Sequence, residues 1–129
     1  MRWLFLLGRV LFGMIFVSSG IMGHLMGAAG TAAYAASAGV PMAGLLVPLS
    51  GIMILAGGLM VILGFKPRIG AWLLLLFLIP TSFLMHAFWG ITDQGMAQMQ
   101  MAHFMKNLSL IGATLMFQSI ERWPLSIKP

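Results

Sequence analysis

The sequence predicts an all-α integral membrane protein, a bundle of four transmembrane helices with both termini in the cytoplasm. Hydrophobic residues make up 60% of the 129 residues and charged residues only 7%, whereas a soluble domain carries about 25% charged residues. Between Arg9 and Lys66, only His24 can become charged near neutral pH. Because a span needs about 20 residues, the chain has room for four helices and no separate extramembrane domain.

The first predicted span covers residues 3–26, a long apolar run. Arg9 interrupts this run, which argues against a cleaved secretory signal. Residues 27–39 are rich in Ala and Gly and predict a compact loop or a short interfacial helix on the outer side. Pro41 then fits the first turn of a second span, residues 41–65.

A short basic turn at residues 66–68 separates the second span from the third. The third span covers residues 69–89, a polar loop follows at 90–98, and the fourth span covers 99–120. Small residues such as Gly57-Gly58 are expected to let neighbouring helices approach closely.

Lysine and arginine are distributed unevenly about these four spans. Positive residues accumulate on the cytoplasmic side of a membrane, and Lys106 alone would lie near the outer side. The basic residues expected on the inner side are Arg2, Arg9, Lys66, Arg68, Arg122 and Lys128. We therefore expect both termini in the cytoplasm and the lipid bilayer as the main partner. Scattered basic residues do not form the patch that nucleic acid needs, so no nucleic-acid partner is expected.

The same topology gathers polar residues in the outer third of the bundle. A polar group in hydrocarbon needs a partner, so we predict an outward-facing pocket between spans one, three and four. The spacing of Ser82, His86, Trp89 and Asp93 predicts one shared helical face. The ligand-pocket candidates are His24, His86, Trp89, Asp93, His103, Lys106 and Asn107. In the alternative interpretation, Lys106 pairs with Asp93 and the histidines lie among lipid headgroups.

Arg9 and Glu121 are the polar residues to which we assign a structural role. The Arg9 side chain either extends along its own stem to the inner surface or pairs with Glu121, the carboxylate expected on that side. Neither arrangement requires a ligand.

Metal and thiol chemistry are constrained by composition. The chain has no cysteine, so it cannot use a thiol nucleophile or exchange disulfides. Soft Cu(I) ligands cluster near the start of span four, namely Met99, Met101, His103 and Met105. The alternating methionines cannot all converge on one helix face. This favours the interpretation that they are ordinary apolar packing residues and not metal ligands.

Several short segments occur in order along the chain. They are Gly8-Arg9-Val10-Leu11-Phe12-Gly13 with Ser19-Gly20, Ala35-Ala36-Ser37-Ala38-Gly39-Val40-Pro41, Gly57-Gly58 through Leu63-Gly64-Phe65, His86-Ala87-Phe88-Trp89, and His103-Phe104-Met105-Lys106-Asn107-Leu108. Together these segments resemble the DoxX family of small bacterial membrane proteins.

The resemblance implies a four-helix inner-membrane protein associated with membrane redox systems, including thiosulfate-to-quinone oxidoreduction. The positions of this chain that match the motifs of the family, and to which the resemblance assigns a functional role, are His86, Trp89, His103, Lys106, Asn107 and Arg9. Relatives often have an acidic residue before the double glycine of span two, where this chain has Ile54-Leu55-Ala56. A proton-coupled role for that carboxylate does not carry over.

Our first functional hypothesis is an accessory protein or subunit of a membrane redox system whose outer pocket binds a quinone-like or other small amphipathic ligand. Without a covalently bound cofactor, the electrons would come from a partner or from the ligand, so the chain is at most a non-thiol subunit of an oxidoreductase. We expect the protein to form a homo-oligomer or to join a redox partner subunit. One alternative is a noncatalytic assembly or cargo-binding module, in which the polar residues of span four dock another subunit. The other is outer-side copper handling by Met and His.

Overall fold

The protein is all-helical, and the computed structural model describes residues 1–129. The first helix continues without interruption into a π-helical segment, Ser19–Met26. The helices are α1 (Arg2–Ser18), α2 (Ala28–Ser37), α3 (Ala43–Leu63), α4 (Pro67–Met85) and α5 (Gln94–Gln118). The stretch after the first span thus forms a short helix, α2, and not the compact loop that was its alternative.

Three segments are long and apolar enough to cross a membrane: Arg2–Met26, Ala43–Leu63 and Pro67–Met85. The all-α membrane class predicted from composition is therefore confirmed. Helix α5, with 25 residues, is also long enough, but it is more polar than the other three. Its buried residues are the polar Gln100, Asn107 and Thr114.

Helix α3 lies at the centre and packs against both α1 and α4. Glycines allow the close approach: a Cβ atom at Gly57 would lie 2.9 Å from the carbonyl oxygen of Gly70 and 2.9 Å from Leu74 Cδ2. The core around these contacts is apolar and consists of Phe16, Ile54, Val61, Leu74, Leu78 and Trp123. The central packing is thus set by backbone proximity between helices.

The C-terminal tail folds back across one end of the bundle, which we call the Arg9 end. There the Lys66 N–H donates to Lys128 O at 2.6 Å, and the Lys128 N–H donates to Gly64 O at 3.0 Å. The start of α1, the turn between α3 and α4, and the tail therefore meet at this end.

Arg9 joins α1 to that tail. Its side chain is only 2% exposed, and its two terminal nitrogens donate to Pro124 O at 3.1 Å and Leu125 O at 2.9 Å. These carbonyls, and not the Glu121 carboxylate, are its partners, so the pairing with Glu121, one of the two arrangements considered for Arg9, is wrong. Glu121 instead borders an open groove with Arg2. Arg9 Nε is buried without a partner.

The boundaries of the last two long helices differ from those predicted. Helix α4 ends at Met85 and not near residue 89, because His86 leaves the helical region at φ −121° and ψ 30°. Helix α5 begins at Gln94, earlier than residue 99, because the Asp93 side chain accepts a hydrogen bond from the Met96 N–H at 2.8 Å and caps the helix.

Candidate functional site

A cavity of about 550 Å³ lies toward the other end of the bundle, which we call the His86 end. It is bounded by the π-helical end of the first span, α2, α3, α4 and α5. Helices α2 and α3 therefore contribute in addition to the three spans expected. The polar residues that line it are Ser19, His24, Thr31, Tyr34, Ser50, Thr81, His86, Lys106 and Asn107.

Four of the seven pocket candidates line this cavity: His24, His86, Lys106 and Asn107. His103 lies beside them, since its ring stacks on that of His86 with the centroids 5.0 Å apart and the planes at 26°. Imidazoles from α5 and from the end of α4 are thus in contact, although 17 positions separate them in the sequence.

Trp89 and Asp93 do not line the cavity. Trp89 is 53% exposed and packs edge-on against Phe88 and Phe104. Asp93 is used as the cap of α5. The predicted single face with Ser82 and His86 is wrong, because α4 ends before His86 and the spacing rule applies only within a continuous helix.

A chain of hydrogen bonds holds His86. Its Nδ1 lies 2.8 Å from Gln100 Oε1, and Gln100 Nε2 donates to the Tyr34 hydroxyl at 2.6 Å. The Tyr34 hydroxyl in turn donates to the carbonyl oxygen of Met85 at a longer 3.4 Å. Three elements, α2, α4 and α5, thereby fix one imidazole.

His24 is held by a second chain, on α3. Its Nδ1 lies 2.8 Å from Ser50 Oγ, and the Ser50 hydroxyl donates to Val47 O at 2.7 Å. The His24 ring also packs edge-on against Phe77 of α4, at 5.4 Å between centroids. The orientation of this imidazole is set by α3 and α4 together.

Burial lowers the pKa of His86 below its ordinary value. The hydrogen bond with Gln100 opposes this shift, while the nearby His103 and Lys106 add to it, because a second positive charge next to either group is unfavourable. The neutral imidazole is therefore the favoured form of His86 near neutral pH.

Sequence reasoning missed Tyr34 and Gln100. Gln100 carried a signal: it stands seven residues before Asn107 and fourteen before Thr114, on the same face of the helix. Tyr34 carried none, because 66 positions separate it from Gln100 and its place depends on how α2 folds back over the bundle.

The copper candidates occupy the outside of α5. Met99, Met101 and Met105 are exposed, with Met105 54% accessible, while His103 stacks on His86. No group of three or more His, Asp or Glu side chains is placed to hold a metal ion.

The sequence of this chain is similar to that of a known protein family. The DoxX family model matches residues 4–87. The chain is also 32% identical to the inner membrane protein YphA of Escherichia coli (strain K12) over 113 residues, which cover 88% of this chain and 79% of that protein. No solved structure matches the chain. The family match ends next to His86, so Lys106 and Asn107 of α5 lie outside it.

Proposed function

This chain belongs to the DoxX family, and on that premise we propose that its cavity binds a small amphipathic ligand, such as a quinone, in the service of a membrane redox system. The protein is a multi-pass inner membrane protein. The redox association rests on what the family resemblance implies, and the binding site rests on the cavity.

The cavity is the observation that carries the proposal. Its volume of about 550 Å³ falls within the range of about 300–1,000 Å³ typical of small-molecule sites. Its walls are mainly apolar and include Val47, Met53, Leu76 and Phe77. Its polar groups include two imidazoles, an ammonium and an amide. An apolar cavity with a few polar groups suits an amphipathic ligand, which has a hydrophobic part and a polar head group.

Lys106 gives this site its positive charge. Asp93, the partner of Lys106 in the alternative interpretation, instead accepts a hydrogen bond from the Met96 N–H at the start of α5. The ammonium of Lys106 has donors only, so it suits a carbonyl or phenolate oxygen of the ligand head. We assign Lys106 and Asn107 to the ligand head, and Phe77 to its ring.

The topology belongs to the same proposal. Helix α5 crosses as the fourth span, so that its buried polar residues meet the other helices and not lipid, and one of them, Asn107, lines the cavity. The basic segments that converge at the Arg9 end then lie in the cytoplasm, as positive residues do, and the His86 end faces outward. The electrons for any redox reaction come from a partner subunit or from the ligand.

A thermal unfolding experiment in detergent tests the proposal. A short-chain quinone analogue at about 100 times its Kd should stabilise the wild-type protein by about 2.7 kcal/mol. The gain should be reduced in Lys106→Ala, which removes the ammonium assigned to the ligand head, and kept in Met116→Ala, a truncation at another exposed site of α5. An unchanged midpoint in the wild type, or an equal gain in Lys106→Ala, contradicts the proposal.

A second candidate is the noncatalytic assembly module. It is favoured by the position of α5, which packs mainly against α4 and leaves Met99, Met105 and Met116 more than half exposed. A partner subunit on this face would co-purify with the wild type and be lost from Met105→Lys, while His86→Ala would leave it bound.

A further inference from the structure

We propose that the cavity prefers the reduced, hydroxyl-bearing form of its ligand, because Gln100 holds His86 with its proton on Nδ1 and leaves Nε2 as a hydrogen-bond acceptor. This inference rests on the proposed function, which it makes more specific. It assigns Gln100 as a positioning residue and names the ligand class as a phenol or quinol.

The direction of the His86 chain follows from its last member. A backbone carbonyl can only accept, so the Tyr34 hydroxyl donates to Met85 O and its oxygen is free to accept from Gln100 Nε2. The amide is then oriented with Oε1 toward His86, and an amide oxygen can only accept. His86 Nδ1 must therefore carry the proton. In a neutral imidazole this leaves a lone pair on Nε2.

The His24 chain has the same direction for the same reason. The Ser50 hydroxyl gives its single proton to Val47 O at 2.7 Å, so its oxygen accepts from His24 Nδ1. His24 Nδ1 also lies 3.4 Å from Val47 O, a contact that only a donor can make. Both cavity histidines thus carry a proton on Nδ1, and in the neutral form of either ring Nε2 is an acceptor.

Burial, and then the groups that face His86, keep its imidazole neutral. The His103 ring stacks on it, and Lys106 lies in the same cavity; a proton added to His86 would be repelled by the ammonium. Gln100 is only 7% exposed and supplies no negative charge to offset that repulsion.

A ligand carbonyl and a ligand hydroxyl differ in how they meet such an acceptor. Two acceptors cannot form a hydrogen bond, so a quinone oxygen next to Nε2 leaves both groups unsatisfied. A quinol hydroxyl donates to Nε2 and can still accept from Lys106. The loss of one buried hydrogen bond corresponds to an affinity difference of about tenfold.

The first test reads the tautomer directly in the full-length protein. Nitrogen-15 NMR of the histidine side chains should report the Nδ1–H form for His86 in the absence of ligand. Gln100→Glu supplies a carboxylate that favours the imidazolium, so His86 should become doubly protonated at a higher pH than in the wild type. Gln98→Glu adds the same charge at an exposed position on α5 and should leave His86 unchanged. An Nε2–H form in the wild type means that the amide is reversed, and it overturns the inference.

The second test compares two probes, a short-chain benzoquinone and its quinol kept reduced. The wild type should bind the quinol about tenfold more tightly, and Gln100→Glu should bring the ratio to one or below. Tyr34→Phe removes the oxygen that orients Gln100 and should reduce the ratio without adding charge, which keeps the test informative if Gln100→Glu does not fold. Equal affinities in the wild type overturn the preference. If neither probe binds, the proposed function fails and the preference with it, while the NMR spectra still decide the role of Gln100.

Discussion

The two ends of the bundle treat their buried polar groups in opposite ways. At the Arg9 end, the chain itself supplies the partners: the Arg9 guanidinium donates to Pro124 O and Leu125 O, and the tail is hydrogen-bonded to the turn at Lys66. At the His86 end, polar side chains surround a cavity of about 550 Å³. The hydrogen bonds there orient the His24 and His86 rings through Nδ1, and no side-chain hydrogen bond is made at Nε2 of either ring.

This difference distinguishes a buried polar group with a structural role from one that is available to bind a ligand. Arg9, whose two terminal nitrogens donate to main-chain carbonyls and whose Nε is buried without a partner, stabilises the fold and offers little to a ligand. An imidazole held at one nitrogen only is oriented and still has hydrogen-bonding capacity. Arg9 and His86 both belong to the motifs that resemble the DoxX family, but only His86 lies where a ligand can reach it.

The largest expected effect is at the Arg9 end. Arg9→Met leaves two carbonyl oxygens without their charged donors and should lower the free energy of unfolding by about 3 kcal/mol. Arg2→Met, on the exposed start of the same helix, should change it by less than about 0.5 kcal/mol. Chemical unfolding in detergent micelles measures both values. Equal stability of the two variants would show that the tail contact does not hold this end closed.

A smaller loss is expected where α3 and α4 approach each other. Gly57→Ala places a methyl group against Gly70 O and Leu74 and should cost about 2 kcal/mol in the same unfolding measurement. Gly44→Ala is the matched control on α3, because nothing lies within 4 Å of its added Cβ. It should be neutral or stabilising by up to about 1 kcal/mol. A harmless Gly57→Ala would contradict the close packing of these helices.

At the His86 end we expect the charge of Lys106 to affect ligand binding. Lys106→Met removes the positive charge from the cavity and should weaken binding of a quinol or quinone probe about tenfold. Lys128→Met, in the tail at the Arg9 end, should leave the affinity unchanged. Titration calorimetry or fluorescence quenching gives the affinities. Identical values for Lys106→Met and the wild type would remove Lys106 from the site.

The smallest effect is a pH dependence of stability. Burial lowers the pKa of His86 in the folded protein, so as the pH falls below about 6.5 the unfolded chain binds this proton first. The contribution of the neutral imidazole is present in full above that pH and is lost on acidification. Unfolding measured from pH 7.5 to pH 5 should show a steeper loss for the wild type than for His86→Asn. Parallel curves would contradict the burial of His86.

The fold was more predictable from the sequence than the site. Apolar runs and the basic turn at residues 66–68 locate the first three spans, because hydrocarbon thickness sets their length. The sequence predicts an end of α4 that is too late. Its helical spacing continues past His86, where the backbone leaves the helical conformation. The Asp93 cap was visible as a residue type that starts helices.

Contacts between distant parts of the chain could not be predicted from spacing. Arg9 meets Pro124 and Leu125 across more than a hundred positions, and a main-chain carbonyl has no residue type that reveals it. Tyr34 reaches Gln100 only because α2 folds against α3. Charge counting indicated which polar residues share an end, whereas the partners depend on tertiary packing.

Photolabelling is the most direct test of the central claim that the His86 end is a ligand site. The wild-type protein in membranes is exposed to a short-chain quinol carrying a photoreactive group, with and without unlabelled quinol, and the labelled peptides are mapped. The account predicts label within residues 76–86 and 100–107 that the unlabelled quinol displaces. Label spread over exposed apolar positions such as Ile52 and Trp72, unaffected by competition, would contradict it.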